Sequence, residues 1–309
     1  MKKILMKKDG KIILWLASGF IALKWWQNNQ QSLSGFPPME TENIGKIYDS
    51  YTVRSGSRVD RYWMDMKIYV RYLGRKEDLR KHFLDPQTAV EHFNLHGIEF
   101  GNWMNQEERA NFLFATMVSF ADMAKAMNIA QNKIGLKQKL QMSFGARGSG
   151  GHAAAFYARK PYALINLTKP HGRGTLAHEY GHALDEHLHL KAYNRGGMAS
   201  GEGKSRQTDP DSFPKDSMEY LFERVFHILY RKENGEPTSF YEVQEERPGY
   251  FQRRREVWAR TFDMYMEIRF EDLGIRNSWA INGDPMRPPK RLVRKAIPFI
   301  QRLIKRAFA

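Results

Sequence analysis

At 309 residues the chain is long enough to bury a substantial core, and 42% hydrophobic against 27% charged residues is the balance of a globular protein, not a disordered one. It has no cysteine, which excludes disulfides and thiolate metal sites, leaves nitrogen and oxygen donors for any ion, and fits a cytoplasmic working life. A net charge of +15 favours anionic partners such as nucleic acid, yet no helix-turn-helix or zinc-finger signature accompanies it.

The apolar run at residues 12–23 follows a basic start but falls short of the roughly 20 residues a bilayer span requires, so no membrane anchor is expected there. Asp9-Gly10 and Ser18-Gly19 bracket it as turn pairs, and residues 1–35 are expected to form a small β-meander. A polar linker with Gly35-Phe36-Pro37-Pro38 follows, then a helical lead-in over 45–84 containing a helix at 58–73. Apolar residues recur at helical spacing from 105 to 129, with Phe112, Leu113, Thr116, Met117, Phe120 and Met123 facing inward. The glycine-rich stretch 144–151 contains Arg147 but lacks the Gly-Lys-Ser/Thr ending of a phosphate loop. It reads as a tight backbone feature entering a hairpin of 153–157 with 162–167. The strand around Ile165 is expected at a sheet edge, where it would hold an extended peptide.

His178-Glu179-Tyr180-Gly181-His182 carries the strongest chemical signal. On a helix, positions i and i+4 place two imidazoles one turn apart on one face, where they can share an ion, with the Glu179 carboxylate beside them. This is the pattern of a catalytic Zn2+ site, with Glu179 placed to handle the proton of a bound water. A strand, a breaker stretch over 169–174 and Thr175 as N-cap precede a helix expected over 175–190. The bland alternative is a solvated histidine-rich helix, and Gly181 argues against it, because glycine in an exposed helix costs about 1 kcal/mol. Close approach of another backbone would explain it.

Catalytic zinc usually takes three protein ligands. Asp185 and His189 share the face but lie further along the axis, so Asp185 reads as a supporting carboxylate or a solvated one. The compact form with a third His after Gly is excluded by Asp185 and Leu188. Beyond a polar loop at 196–214 and a helix at 217–231, the better candidate is Glu256, 74 residues past His182. Glu256, Arg260, Asp263 and Glu267 form a polar stripe along an otherwise apolar helix. That stripe is either a ligand-bearing face or an ordinary wet one with Glu256 and Arg260 paired. Arg253-Arg254-Arg255 before it can meet an anionic group or stay solvated. Residues 281–309 are expected to close the chain as a docked helix with a basic outer face, interrupted at Pro298.

Gly97-Ile98-Glu99-Phe100-Gly101-Asn102-Trp103, Phe144-Gly145-Ala146-Arg147-Gly148-Ser149-Gly150-Gly151, Ala163-Leu164-Ile165-Asn166-Leu167-Thr168, Gly174-Thr175-Leu176-Ala177-His178-Glu179-Tyr180-Gly181-His182-Ala183-Leu184-Asp185 and Glu256-Val257-Trp258-Ala259-Arg260-Thr261-Phe262 together resemble the zincin-like large polyvalent protein-associated domain. That family occurs in proteins of bacteriophages and conjugative elements, often inside much longer chains, and the resemblance covers about residues 85–280. It implies an α+β zincin-like metallopeptidase fold, with a small sheet over an active-site helix and a helical subdomain. It also implies His178, His182 and Glu256 as zinc ligands, Glu179 as the catalytic carboxylate, a protein or peptide substrate, and work in the cytoplasm of a bacterial host. Tyr180 departs from the family's usual Trp. Tyr241, Tyr250, Tyr265 and His227 are open candidates for stabilising an oxyanion. The rival expectation is a basic DNA-associated or antirestriction binding protein that keeps the fold and cleaves nothing.

Overall fold

A computed structural model describes residues 46–47, 86–101, 106–146, 154–158, 163–168, 172–204, 208–281 and 283–309. The expected meander of 1–35 and the helix at 58–73 lie outside these residues. The two described residues of the 45–84 segment form a strand, not part of a helix.

The architecture is mixed α+β. Strands β1 (Lys46–Ile47), β2 (Gly97–Phe100), β3 (Leu140–Phe144), β4 (Ala154–Ala158) and β5 (Ala163–Leu167) make one sheet in the order β1-β2-β3-β5-β4. The first three pairings are parallel and β4 closes antiparallel on β5. The expected hairpin is therefore present, shifted by a residue. Ile165 does not lie at an edge: β5 is flanked on both sides, and among the described residues β1 and β4 are the outer strands. The reason is parallel pairing with β3, whose run Leu140-Gln141-Met142-Ser143-Phe144 is buried throughout, as strands covered on both faces are.

Register sorts the strand residues into rows. Phe100, Phe144 and Leu167 align across three strands, and Glu99, Ser143 and Asn166 align one residue earlier on the other face. The aromatic row meets helix α2 (Gln106–Met127), whose Phe112 ring stands edge-on to Phe144 at 6.2 Å and to Trp279 at 4.8 Å. The polar row is bonded within itself, Ser143 Oγ donating to Glu99 Oε2 at 3.1 Å. All six inward positions expected on α2 are buried.

Helix α1 (Pro86–Phe93) precedes β2, and α3 (Leu176–Tyr193) follows β5 and packs on β4 and β5. Then come α4 (Met218–Tyr230), α5 (Ser239–Glu245), α6 (Arg254–Asp272) and α7 (Lys290–Phe308). α6 lies against α3 and α2, and α7 covers α4 and α6. α7 runs through Pro298 without a break: the residue is exposed, so the carbonyl its missing N–H would have served faces solvent. Among the described residues no helix is long and apolar enough to cross a membrane.

Candidate metal centre

The N-terminus of α3 is held differently from expectation. The Thr175 side chain makes no cap; its hydroxyl donates back to the Gly172 carbonyl at 2.9 Å. The free N–H of Ala177 instead donates to the Ala280 carbonyl at 3.1 Å, and Gly174 N–H donates to the Trp279 carbonyl at 2.8 Å. That 277–281 turn is locked in turn to α2, with Trp279 Nε1 donating to Thr116 Oγ1 at 3.0 Å and Asn277 Nδ2 to Asp122 Oδ2 at 2.7 Å. A distant segment thus does the work of the local cap.

Gly181 has the neighbour its position called for. A Cβ there would lie 3.1 Å from the Ala259 Cα and 3.2 Å from the Phe262 Cβ, so only glycine lets α6 approach this closely without displacement. Trp258 Nε1 donates to the Gly181 carbonyl at 2.9 Å, and the Tyr180 and Phe262 rings lie 6.1 Å apart. This contact brings the first turn of α6 against the His178–His182 face.

There the three expected ligands meet. His178 Nε2 is 3.8 Å from Glu256 Oε2 and His182 Nε2 is 3.6 Å from Glu256 Oε1, and one ligand atom from each residue lies within 4.8 Å of the others. Tetrahedral bonds of about 2.0–2.2 Å would set ligand atoms about 3.3–3.5 Å apart, and the two His–Glu separations lie within a few tenths of an ångström of that spacing. His182 and Glu256 are buried and His178 is partly so, which leaves the cluster open on the His178 side. Glu179, one residue on, is buried.

The electrostatics suit a cation. Burial pushes the His178 imidazole down to about 4, helped by the Arg260 guanidinium and opposed by Asp284, and burial with His178, Arg255 and Arg260 holds His182 well below its ordinary value. Both rings are neutral at pH 7, with lone pairs to offer. Burial also pushes the Glu256 carboxyl up, against the Tyr250 hydroxyl and Arg260, Arg255 and Arg253, which favour the ionised form. A carboxylate whose charge is opposed by burial gains strongly from an ion beside it. His178, His182 and Glu256 therefore form a group able to hold a metal ion.

The polar stripe of α6 is not a wet face. Glu256, Arg260 and Asp263 are each at most 3% exposed. Arg260 Nη2 lies 3.6 Å from Glu256 Oε2, and its Nε pairs with Asp284 at 3.1 Å. Arg287 pairs with Asp263 at 3.3 Å and Glu267 at 2.6 Å. Segment 283–290 covers the stripe with matching charges, a cover that no local pattern announces.

Asp185 is a supporting carboxylate, fully buried: it accepts from Ser200 N at 2.8 Å and Ser200 Oγ at 2.5 Å. Burial drives it up to about 7, opposed by those bonds. Arg254 Nε donates to the Ser200 carbonyl at 2.7 Å, while its guanidinium pairs with Glu223. Arg254 N–H also donates to the Gly203 carbonyl at 3.0 Å. The first part of the 196–214 loop is therefore a strap from α3 to the start of α6, where Glu256 sits.

Of the four oxyanion candidates, Tyr250 alone meets the cluster among the described residues. Its hydroxyl donates to Glu256, the Glu179 charge reaches it, and burial and these carboxylates raise its pKa. Tyr265 is buried beside Arg269 and Gln301, Tyr241 packs on Tyr230, and His227 meets Thr208 at 3.4 Å. Sequence reasoning had no means to choose Tyr250, because it is aligned by the turn before α6. His189 faces Gly197, away from the cluster.

No family model, curated protein or solved structure matches this chain.

Proposed function

We propose that the chain is a zinc-dependent metallopeptidase with a zincin-like fold, related to the phage and conjugative-element family its motifs resemble. The observation that carries this reading is the meeting of His178, His182 and Glu256, from helices 74 residues apart, in a buried corner with Glu179 adjoining. Two neutral imidazoles and a carboxylate, with no thiolate, suit zinc. Zinc bound there supplies a polarised carbonyl and a water that ionises near neutral pH.

The remaining work falls to the protein's own side chains. Glu179 takes the proton from the attacking water and delivers it to the departing amine. Tyr250, half-exposed at the site, turns its single O–H from Glu256 to the oxygen that gains charge. Arg260, itself paired with Asp284, holds Glu256 from behind. The substrate is a protein or peptide chain. Outer strand β4, beside α3, is the place for it to add main-chain hydrogen bonds, a role expected of Ile165 before β5 was seen to be interior.

Metal analysis with a peptide-cleavage assay tests the reading. One zinc per chain is expected in the wild type and in Glu179→Gln, and none in His182→Ala or Glu256→Ala. Turnover in Glu179→Gln should fall by about 10²–10⁴. Zinc retained by Glu256→Ala, or cleavage unchanged in Glu179→Gln, would overturn it and favour a basic binding protein that keeps the metal for stability.

A further inference from the structure

A second feature lies at the far end of α3, nine residues or about 14 Å from His182 along the helix axis. The last turns of α3 and α7 and the start of α4 border an open cavity of about 610 Å³, lined by Lys191, Arg302, Lys305 and Arg306 over an apolar floor that includes Leu188. Among the described residues, Asp216 is the one acidic side chain in its wall.

The rest of α7 shows what a structural basic face looks like. Lys290 pairs with Glu267 and Glu271, Arg294 with Glu271 and Asp272, and Lys295 with Glu233. At the cavity the matching stops. Asp216 pairs with Arg302, Arg306 donates to the Asp216 main-chain carbonyl and meets the Glu219 charge only at longer range, and Lys305 has no carboxylate within ion-pair distance among the described residues. Lys191 Nζ donates to the Arg306 and Ala309 carbonyls at 2.8 Å, and Lys133 Nζ donates to the Phe308 carbonyl at 2.7 Å, so these two cap the end of α7. Capping does not account for Arg302, Lys305 and Arg306. Lys137 adds to the field, and burial, helped by the crowding of Lys137, Arg306 and Lys133, depresses the Lys191 pKa.

We propose that this cavity binds a phosphate ester. Guanidinium forks match phosphate oxygens in pairs, and lysines add point charge. The volume falls within the range of small-molecule sites, about 300–1,000 Å³, so it admits a phosphate with the sugar attached to it. The same chemistry is offered by a free nucleotide and by the backbone of a nucleic-acid strand, and the site is independent of the metal centre.

The test uses the full zinc-loaded chain, with binding of a fluorescein-labelled oligothymidylate followed by anisotropy against salt and binding of AMP followed by calorimetry. In Arg302→Glu/Lys305→Glu, affinity for whichever probe binds should fall about tenfold or more, and for the oligonucleotide the salt slope should flatten by about two. Lys305→Ala, which removes an unpaired side chain and leaves the fold intact, should weaken binding in the same direction. Arg291→Glu/Lys295→Glu, an equal charge change on the outer face, should shift affinity less than about twofold. Oligonucleotide bound without AMP identifies a strand backbone, and AMP bound alone identifies a free ester; either supports the site. Equal losses in the two double variants, competition by polyglutamate as strong as by phosphate, or no binding of either probe at low salt would overturn it.

Discussion

Two helices carry charged stripes, and their fates are opposite. On α6, Glu256, Arg260, Asp263 and Glu267 mix both signs, and the first three are buried. On α7 the polar face is positive almost throughout, and Arg294 and Lys295 stay 48% and 58% exposed. The difference follows from electrostatics. A row of mixed sign supplies part of its own compensation and accepts a covering segment of complementary charges, here Asp284, Arg287 and Lys290. A row of one sign offers a neutral cover nothing and must stay in water or meet an anion. The buried stripe made a corner where an ion can sit; the exposed one left a cavity with surplus charge.

The sharpest way to break this comparison is to remove the centre of the buried stripe. Arg260→Met takes away the guanidinium beside Glu256 and Asp284, and loss of one partner from a buried pair costs about 3–5 kcal/mol. Denaturant titration of the metal-free variant should show that loss. Zinc should restore part of it, because the ion replaces the missing positive charge next to Glu256. An equal loss with and without zinc would mean that Glu256 does not face the ion.

Acidity probes the same corner on the order of 3 kcal/mol. The unfolded chain protonates His178 near 6.5, whereas the folded one holds it neutral down to about 4. Its contribution is therefore complete above pH 6.5 and drains away as the pH falls towards 4. Unfolding midpoints of the metal-free protein should drop across that window, and His178→Phe should flatten the fall. A midpoint unchanged between pH 7 and 4 would contradict the burial of this ring.

The parts legible in the sequence are those whose cause is local. Helical spacing announced α2, α3, α4 and α7, and the i, i+4 histidines followed from one turn of helix. Gly181 was readable because an exposed glycine has no reason to persist in a helix, and the reason proved to be Ala259 at 3.1 Å. Glu256 suited a ligand-bearing face and a wet one equally in the sequence, and the fold buries it beside His178 and His182. What stayed illegible is non-local. Ala280 replaces the Thr175 cap, segment 283–290 buries the stripe, and parallel pairing with β3 moves Ile165 from edge to interior. Each depends on a segment at least 20 residues away, and local propensity does not encode such meetings.

A smaller effect is expected where the strap ties α3 to α6. Asp185→Ala leaves Ser200 N–H and Oγ without their buried acceptor, at a cost of about 1–3 kcal/mol. Asp185→Asn keeps an acceptor for the N–H and should recover most of it. Because Arg254 hangs from the Ser200 carbonyl two residues before Glu256, the Ala variant should also bind zinc more weakly, read by competition with a chelator. Unchanged zinc affinity would make the strap a matter of stability alone.

The smallest effect belongs to the wet stripe. Lys295 Nζ meets Glu233 at 2.9 Å, but the two side chains are 58% and 92% exposed, so water and salt screen the pair. Lys295→Ala should leave stability nearly unchanged, with any difference vanishing at high salt. Set against Arg260→Met, the same chemical pairing then differs several-fold in worth according to what covers it. If Lys295→Ala proved as costly as Arg260→Met, cover would not be what separates the two helices, and the α7 face would have to be held by contacts other than its ion pairs.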